Sequence, residues 1–128
     1  MMKKEVSIWW EQAKNDLNAA MNSVKSRNFD WACFQAQQAA EKGLKALYIQ
    51  EFNTFKKIHD LSFFAKELKA PDEILEVCFR LSPVYAETRY PDGSGKVPAK
   101  RFSEEDAKKS IKYASVILTW LEKELSPN

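Results

Sequence analysis

The chain has 128 residues, of which 45% are hydrophobic and 30% are charged, and its net charge is +2. This balance is typical of one folded domain and excludes a disordered chain, while so small a net charge gives no argument for nucleic-acid binding. Only 3 glycines are present, too few for the turns of a β-rich domain of this length, so the composition favours helices.

Several classes of protein are excluded at once. No segment is apolar over the roughly 18 residues that a membrane span needs, and the basic start lacks the apolar core of a secretory signal. We therefore predict a cytoplasmic protein. Its two cysteines, Cys33 and Cys78, lie in apolar helical sequence and are expected to be reduced and buried. With His59 as the single histidine, no metal-ligand spacing exists, and we predict neither a metal site nor a cofactor.

Apolar residues recur with the spacing of amphipathic helices along most of the chain. The predicted helices cover, in chain order, residues 5–26, 30–52, 59–69, 71–89 and 104–126. Pro83 is expected to kink or break the fourth of them. One true loop, 91–100, precedes the last helix, and no linker or repeat divides the chain. We predict a single all-α domain over residues 1–128, an antiparallel up-and-down four-helix bundle with one short additional helix.

The second predicted helix is rich in small residues, among them Ala36, Ala40 and Gly43. A glycine in the middle of a helix costs about 1 kcal/mol relative to alanine. We expect the close approach of a neighbouring helix to account for Gly43.

The last predicted helix has two apolar faces. Tyr113, Val116, Ile117 and Trp120 project roughly opposite its main stripe, and one bundle core does not easily cover both faces. Either the short helix packs on this second face or another protein chain does. Tyr113, Ile117 and Trp120 are therefore candidate interface residues.

Polar residues of the second predicted helix are the first candidates for chemistry. Gln37 and Glu41 are one turn apart, so they lie side by side on the shoulder of the apolar face. From there they can reach a groove between helices, although a plain solvated rim is the alternative. Lys42 and Lys45 are expected to point further outward, into solvent.

His59 and Asp60 stand at the start of the short predicted helix. A histidine can serve as an acid or a base, but no nucleophile motif accompanies this one. Asp60 is equally well explained as a capping residue of the helix.

A third group follows the fourth predicted helix. Arg89 can bind a phosphate or carboxylate in forked geometry, and Tyr90 can stack on a base. The alternative is a helix end in which Arg89 meets the dipole before a turn that contains Asp92. The segment 93–96 lacks the glycine spacing and the hydroxyl residue of a phosphate-binding loop. For Lys96 we therefore expect no more than a loose electrostatic contact with a polyanion.

Several motifs of this sequence resemble the HEPN domain (higher eukaryotes and prokaryotes nucleotide-binding), in its small stand-alone prokaryotic form. The longest is FDWACFQAQQAAEKGLKAL over residues 29–47, and AKNDL at 13–17, HDL at 59–61 and TRYPD at 88–92 complete the set. The resemblance covers roughly Lys3 to Leu125, which is nearly the whole chain.

The resemblance implies an up-and-down helical bundle and a connection to nucleotides or nucleic acids. Such proteins are often encoded beside a minimal nucleotidyltransferase, with which they form a complex or a toxin–antitoxin pair, and many form homodimers. Ribonucleases of the family carry an arginine followed closely by a histidine near the fourth helix. Here no histidine follows Arg89, so ribonuclease activity is not expected.

The leading hypothesis is a non-catalytic nucleotide-binding protein that acts with a minimal nucleotidyltransferase. In it, Arg89 contacts phosphate, Tyr90 stacks or donates a hydrogen bond, and Gln37 and Glu41 read polar edges of the nucleotide. The remaining candidates are Asp92 beside them and, as secondary contacts, Lys45, His59 and Lys96. The alternatives are a homodimeric adaptor that binds no nucleotide and, less favoured, a protein that binds and cuts RNA.

Overall fold

The computed structural model describes residues 2–90 and 96–125. Its helices are α1 (Lys4–Lys25), α2 (Phe29–Phe52), α3 (Leu61–Glu67), α4 (Asp72–Leu81), α5 (Val84–Arg89), α6 (Pro98–Arg101) and α7 (Glu104–Leu125). No residue of the two described ranges forms a β-strand, and the predicted all-α helical bundle is confirmed. None of the described helices is both long and apolar enough to cross a membrane.

The fourth predicted helix is in fact two helices. α4 ends at Leu81 and α5 begins at Val84, with Ser82 and Pro83 between them. Proline has no backbone N–H, and its ring clashes with the carbonyl four residues earlier, so a continuous helix would be strained at this point. Of the expected kink or break at Pro83, the structure shows the break, with Ser82 and Pro83 outside both helices.

Two further boundaries differ from the sequence prediction. The short helix α3 begins at Leu61, after Asp60, whose carboxylate accepts a hydrogen bond of 2.9 Å from the backbone N–H of Ser62. The capping interpretation of Asp60 is thus confirmed, and His59 lies outside the helix. The predicted loop 91–100 contains α6, while residues 91–95 lie outside the described ranges.

α2 is the central helix of the bundle. It packs against α1 and α7 along much of its length and against α3, α5 and α6 elsewhere. At Gly43 a Cβ atom would lie 2.7 Å from Cδ1 of Leu121 and 3.4 Å from Cζ3 of Trp10. The close approach predicted from this glycine is confirmed, since α7 and α1 both reach the backbone of α2 there.

The second apolar face of α7 is covered in part by α4, not by α3. Ile117 is fully buried in the main core, so its prediction as an interface residue is wrong. Tyr113 and Trp120 are partly buried and pack against the same core. A groove of about 440 Å³ remains between α4 and α7, and Val116 and Trp120 are among its lining residues.

Both cysteines are free and buried, as predicted. Burial raises the pKa of the Cys33 thiol to about 11 and that of the Cys78 thiol to about 12. Because the thiolate is the nucleophilic form, neither side chain is set up for covalent chemistry at neutral pH.

Candidate functional site

Three polar side chains follow one another by single turns along α2, and all three are buried. Gln37 is fully inaccessible, Glu41 is 3% exposed and Lys45 is 5% exposed. The prediction that Lys45 points into solvent is therefore wrong, and so is the solvated-rim interpretation of Gln37 and Glu41. The cause is that α2 is enclosed on this side as well, by α3, by α5 and by the connector that precedes α3.

Lys45 and Glu41 form a buried ion pair, with Nζ 3.0 Å from Oε2. The ammonium group also lies over three aromatic rings, at 5.7 Å from the centroid of Trp9, 5.3 Å from Phe55 and 6.0 Å from Phe64. A buried charge is tolerated only when it is paired and well surrounded, and the ring faces contribute cation–π attraction. The pair is therefore held in one geometry by side chains from three parts of the chain.

Glu41 also binds the single histidine. Both of its carboxylate oxygens lie 3.1 Å from Nδ1 of His59. Since a carboxylate can only accept, we assign the ring hydrogen to Nδ1, which leaves the lone pair of a neutral imidazole on Nε2. The side chain of His59 is 51% exposed, so a ligand can reach it.

Two glutamines complete the polar network. Nε2 of Gln37 donates to the backbone carbonyl of His59 at 3.2 Å, and Nε2 of Gln38 donates to Oε1 of Gln37 at 2.9 Å. No buried side-chain nitrogen or oxygen in the described part of the chain lacks a hydrogen-bond partner. A fully satisfied network of this kind is rigid, because loss of any member leaves a buried polar group unpaired.

The outer end of the network is aromatic. The ring of His59 stacks on Tyr85 of α5, with centroids 4.1 Å apart and planes inclined by 12°. Tyr85 in turn contacts Phe34 of α2 at 5.9 Å. The guanidinium of Arg89 lies 5.0 Å from the centroid of Phe34 and 6.0 Å from that of Tyr85. His59 and Arg89, far apart in the sequence, therefore meet around one tyrosine.

We name this arrangement the His59 cluster, and its members are Lys45, Glu41, His59, Tyr85, Phe34 and Arg89. Four of them were candidates from the sequence, whereas Phe34 and Tyr85 were missed. The four-residue spacing from Tyr85 to Arg89 was the available signal, because it places both on one face of a helix. Trp31, which is 54% exposed and packs edge-on against Phe34 at 5.8 Å, was missed as well.

Two of the remaining candidates, Tyr90 and Lys96, are exposed. Tyr90 is 61% exposed and has extended backbone after α5, so it is accessible to a ligand. Lys96 is exposed in front of α6, and Asp92 falls outside the described residues. No group of three or more His, Cys, Asp or Glu side chains within the described ranges is placed to hold a metal ion.

The fold and the site together define a class of protein. It is an all-α bundle whose central helix buries a charged network, and a histidine and an arginine lie at the exposed end of that network. The chain matches the family model of the HEPN domain over residues 6–125. The chain therefore belongs to the HEPN family. No curated protein matches it at a significant level.

Solved structures of similar proteins agree with this assignment. The protein TT1696 from Thermus thermophilus is 29% identical, with a TM-score of 0.89 over 96% of this chain and 100% of that chain. ST0689, described as an archaeal HEPN homologue, is 32% identical, with a TM-score of 0.82 over 98% and 100%. The HEPN domain protein tm0613 from Thermotoga maritima is 30% identical, with a TM-score of 0.73 over 94% and 98%.

Proposed function

We propose that the chain is a nucleotide-binding HEPN protein that does not itself cut RNA. The observation that carries the proposal is the position of Arg89, whose guanidinium is held against Phe34 and Tyr85 beside the half-exposed ring of His59. A guanidinium presents forked donors that match a phosphate, and a stacked guanidinium loses little freedom on binding one. Trp31, exposed next to Phe34, supplies a ring on which a base can stack.

The buried part of the His59 cluster supports binding more than turnover. Glu41 fixes the ring of His59 from one side and Tyr85 covers one of its faces. A histidine held in this way presents the lone pair of Nε2 to a hydrogen-bond donor of the ligand, such as a ribose hydroxyl, with little loss of entropy. The family's ribonuclease motif is absent after Arg89, which is why we propose a non-catalytic role.

Calorimetric titration of the chain with AMP, ATP and GTP tests the proposal. Binding is expected, with a loss of about tenfold or more in affinity for Arg89→Ala, since a charge-assisted hydrogen bond contributes about 1.5–3 kcal/mol. Arg89→Lys keeps the charge but removes the fork and the stacking, so it should bind nearly as poorly. Lys66→Ala, which removes an exposed charge elsewhere, should bind like the parent chain. No binding at millimolar nucleotide, or unchanged binding by Arg89→Ala, refutes the proposal.

One observation favours a second candidate, metal-independent RNA cleavage. His59 has its Nδ1 bound to a carboxylate, as a histidine that acts as an acid or base commonly does, and Arg89 lies near the same tyrosine. Incubation of RNA with the chain in EDTA distinguishes the ribonuclease from the non-catalytic protein. Cleavage that disappears in His59→Ala supports the ribonuclease, and intact RNA with the parent chain supports the non-catalytic role.

We propose further that the chain acts in the cytoplasm with a minimal nucleotidyltransferase, in the manner of a toxin–antitoxin pair. Membership of the HEPN family and the resemblance to its small stand-alone members support this. Co-expression with a nucleotidyltransferase encoded beside its gene, followed by size-exclusion chromatography, is the test. Co-elution at a fixed ratio is expected, and separate elution of both proteins refutes the partnership.

We also propose a homodimer formed through the groove between α4 and α7. Its support is the apolar surface of the groove, to which Val116 and Trp120 of α7 and Ile74 of α4 contribute. Sedimentation should show a dimer that Trp120→Asp disrupts. Thr119→Arg, at an exposed groove position outside the core, should do the same without loss of stability. A monomeric parent chain refutes the dimer, whereas dimerisation without nucleotide binding favours the adaptor.

A further inference from the structure

Residues 53–60, which join α2 to α3, are held to the bundle mainly by their side chains. The backbone N–H of Asn53 still bonds to the last turn of α2, but residues 54–58 form no backbone–backbone hydrogen bond with any described residue. Residues 53–57 are exposed, and Ile58 is partly buried against the core. We name this segment the strap. Because few backbone bonds restrain it, its position depends on the side chains that it turns inward.

The two ends of the strap converge on one buried ion pair. Near its start, the ring of Phe55 packs on Trp9 with centroids 5.3 Å apart, and its centroid lies 5.3 Å from Nζ of Lys45. Near its end, Nδ1 of His59 lies 3.1 Å from both carboxylate oxygens of Glu41, which is the partner of Lys45. The same ion pair is therefore covered by one anchor of the strap and bound by the other.

A strap over charges opens more readily than a strap over an apolar floor. The side chains of Lys45 and Glu41 are only 6% and 4% exposed, and burial deprives both charges of hydration. When the strap lifts, water returns to the pair, and this gain offsets part of the contacts that Phe55 loses. Local opening of the strap therefore costs less free energy than opening of the apolar core beneath it.

We propose that the strap is a conformational switch whose closure assembles the site around His59 and Arg89. In the closed state, Glu41 and Tyr85 fix the ring of His59, and the guanidinium of Arg89 lies at the same tyrosine. Lifting the strap withdraws His59 from this site and uncovers Lys45. The regulatory consequence rests on the proposed nucleotide binding, because a ligand that contacts both His59 and Arg89 binds the closed state alone and keeps the strap shut.

The reactivity of Lys45 reports the opening without any nucleotide. Its ammonium group is buried, so an amine-acetylating reagent reaches it only when the strap is open, and mass spectrometry of the digested chain gives the rate. Lys45 should react about a hundredfold more slowly than the exposed Lys66, or slower still. Tyr85→Leu removes the stack on His59 but leaves both members of the ion pair in place. It should speed the acetylation of Lys45 about three- to tenfold, as expected for the loss of one aromatic contact.

A second tyrosine gives a matched control. Tyr113 is also partly buried, but it lies on α7 and lines a cavity to which no strap residue contributes. Tyr113→Leu should therefore leave the acetylation rate of Lys45 unchanged. An unchanged rate in Tyr85→Leu, or equal acceleration by the two variants, overturns the proposal.

An experiment with AMP distinguishes failure of the switch from failure of the proposed nucleotide binding. AMP at about ten times its dissociation constant should slow the acetylation of Lys45 about tenfold in the parent chain, because it binds only the closed state. The same AMP concentration should have little effect in Arg89→Ala. AMP that binds by calorimetry but leaves the rate unchanged overturns the switch. If AMP does not bind, the proposed nucleotide function fails, and the comparison of Tyr85→Leu with Tyr113→Leu decides the strap.

Discussion

The buried pair of Lys45 and Glu41 permits a double-mutant cycle with a clear expected outcome. Lys45→Met keeps the length and the apolar contacts of the side chain but removes the charge. Glu41→Gln keeps the shape and removes the other charge. Glu41→Gln leaves the charge of Lys45 buried without a carboxylate, and Lys45→Met leaves Glu41 with His59 but without its ammonium partner. The double variant removes both charges of the pair.

The structure sets the size of the effect. The side chains of Lys45 and Glu41 are 6% and 4% exposed, so water can reach neither charge when its partner is removed. Breaking such a pair costs about 3–5 kcal/mol, while replacing both partners together is often close to neutral. Loss of the cation–π contacts adds about 1 kcal/mol to the Lys45 variants. We therefore expect the double variant to be less destabilised than the sum of the singles by about 3 kcal/mol or more.

Urea unfolding followed by circular dichroism measures the free energy of unfolding of the four proteins. The pair formed by Arg80 and Glu76 is the control, because it has the same spacing and a distance of 2.9 Å but side chains that are 57% and 58% exposed. Its cycle should give a coupling below about 0.5 kcal/mol. Additive effects at Lys45 and Glu41, or equal couplings in the two cycles, would refute the argument that burial makes the inner pair strong.

Two further predictions concern the core. Gly43→Ala gains about 1 kcal/mol of helix propensity but forces a methyl group against Leu121, so we expect a net loss of about 1 kcal/mol in unfolding experiments. In a Leu121→Ala background, Gly43→Ala should instead raise the free energy of unfolding. Equal destabilisation by Gly43→Ala in both backgrounds would contradict this argument. Because burial raises the pKa of Cys33 to about 11 and of Cys78 to about 12, the folded chain keeps two protons that unfolded thiols release above about pH 9. The free energy of unfolding should therefore fall by about 1 kcal/mol per cysteine from pH 8 to pH 10, and Cys78→Ala should show a smaller fall than the parent chain.

The helices themselves could be predicted because their apolar residues repeat every three or four positions, and that spacing fits one regular structure. The same reasoning located the contact at Gly43, since a mid-helix glycine needs a cause. The same reasoning gave the wrong prediction for Ile117. A helical wheel shows that α7 has two apolar faces, but it does not show which neighbouring helix covers the second face. The answer is α4, which packs against α7.

Four of the six members of the His59 cluster could be predicted from the sequence, but their arrangement could not. A helical wheel places Lys45 at the edge of the apolar face of α2 and leaves it to solvent. What covers it is Phe55, in a connector without regular structure, and Trp9, on a different helix. The stack of His59 on Tyr85 likewise joins a connector to α5. Contacts between distant segments of this kind leave no periodic signal in a sequence.

The residues from His59 to Leu61 combine a helix cap with a residue of the proposed site. Asp60 caps α3 and accepts a hydrogen bond of 3.2 Å from the hydroxyl of Ser82, which itself accepts from the backbone N–H of Leu61 at 3.0 Å. Ser82 stands at the break between α4 and α5, so these bonds fix where α5 starts relative to α3. With that distance fixed, His59 on one side and Tyr85 on the other can stack. The capping role of Asp60 and the proposed ligand contact of His59 are therefore compatible, because the cap helps to fix the position of the His59 ring.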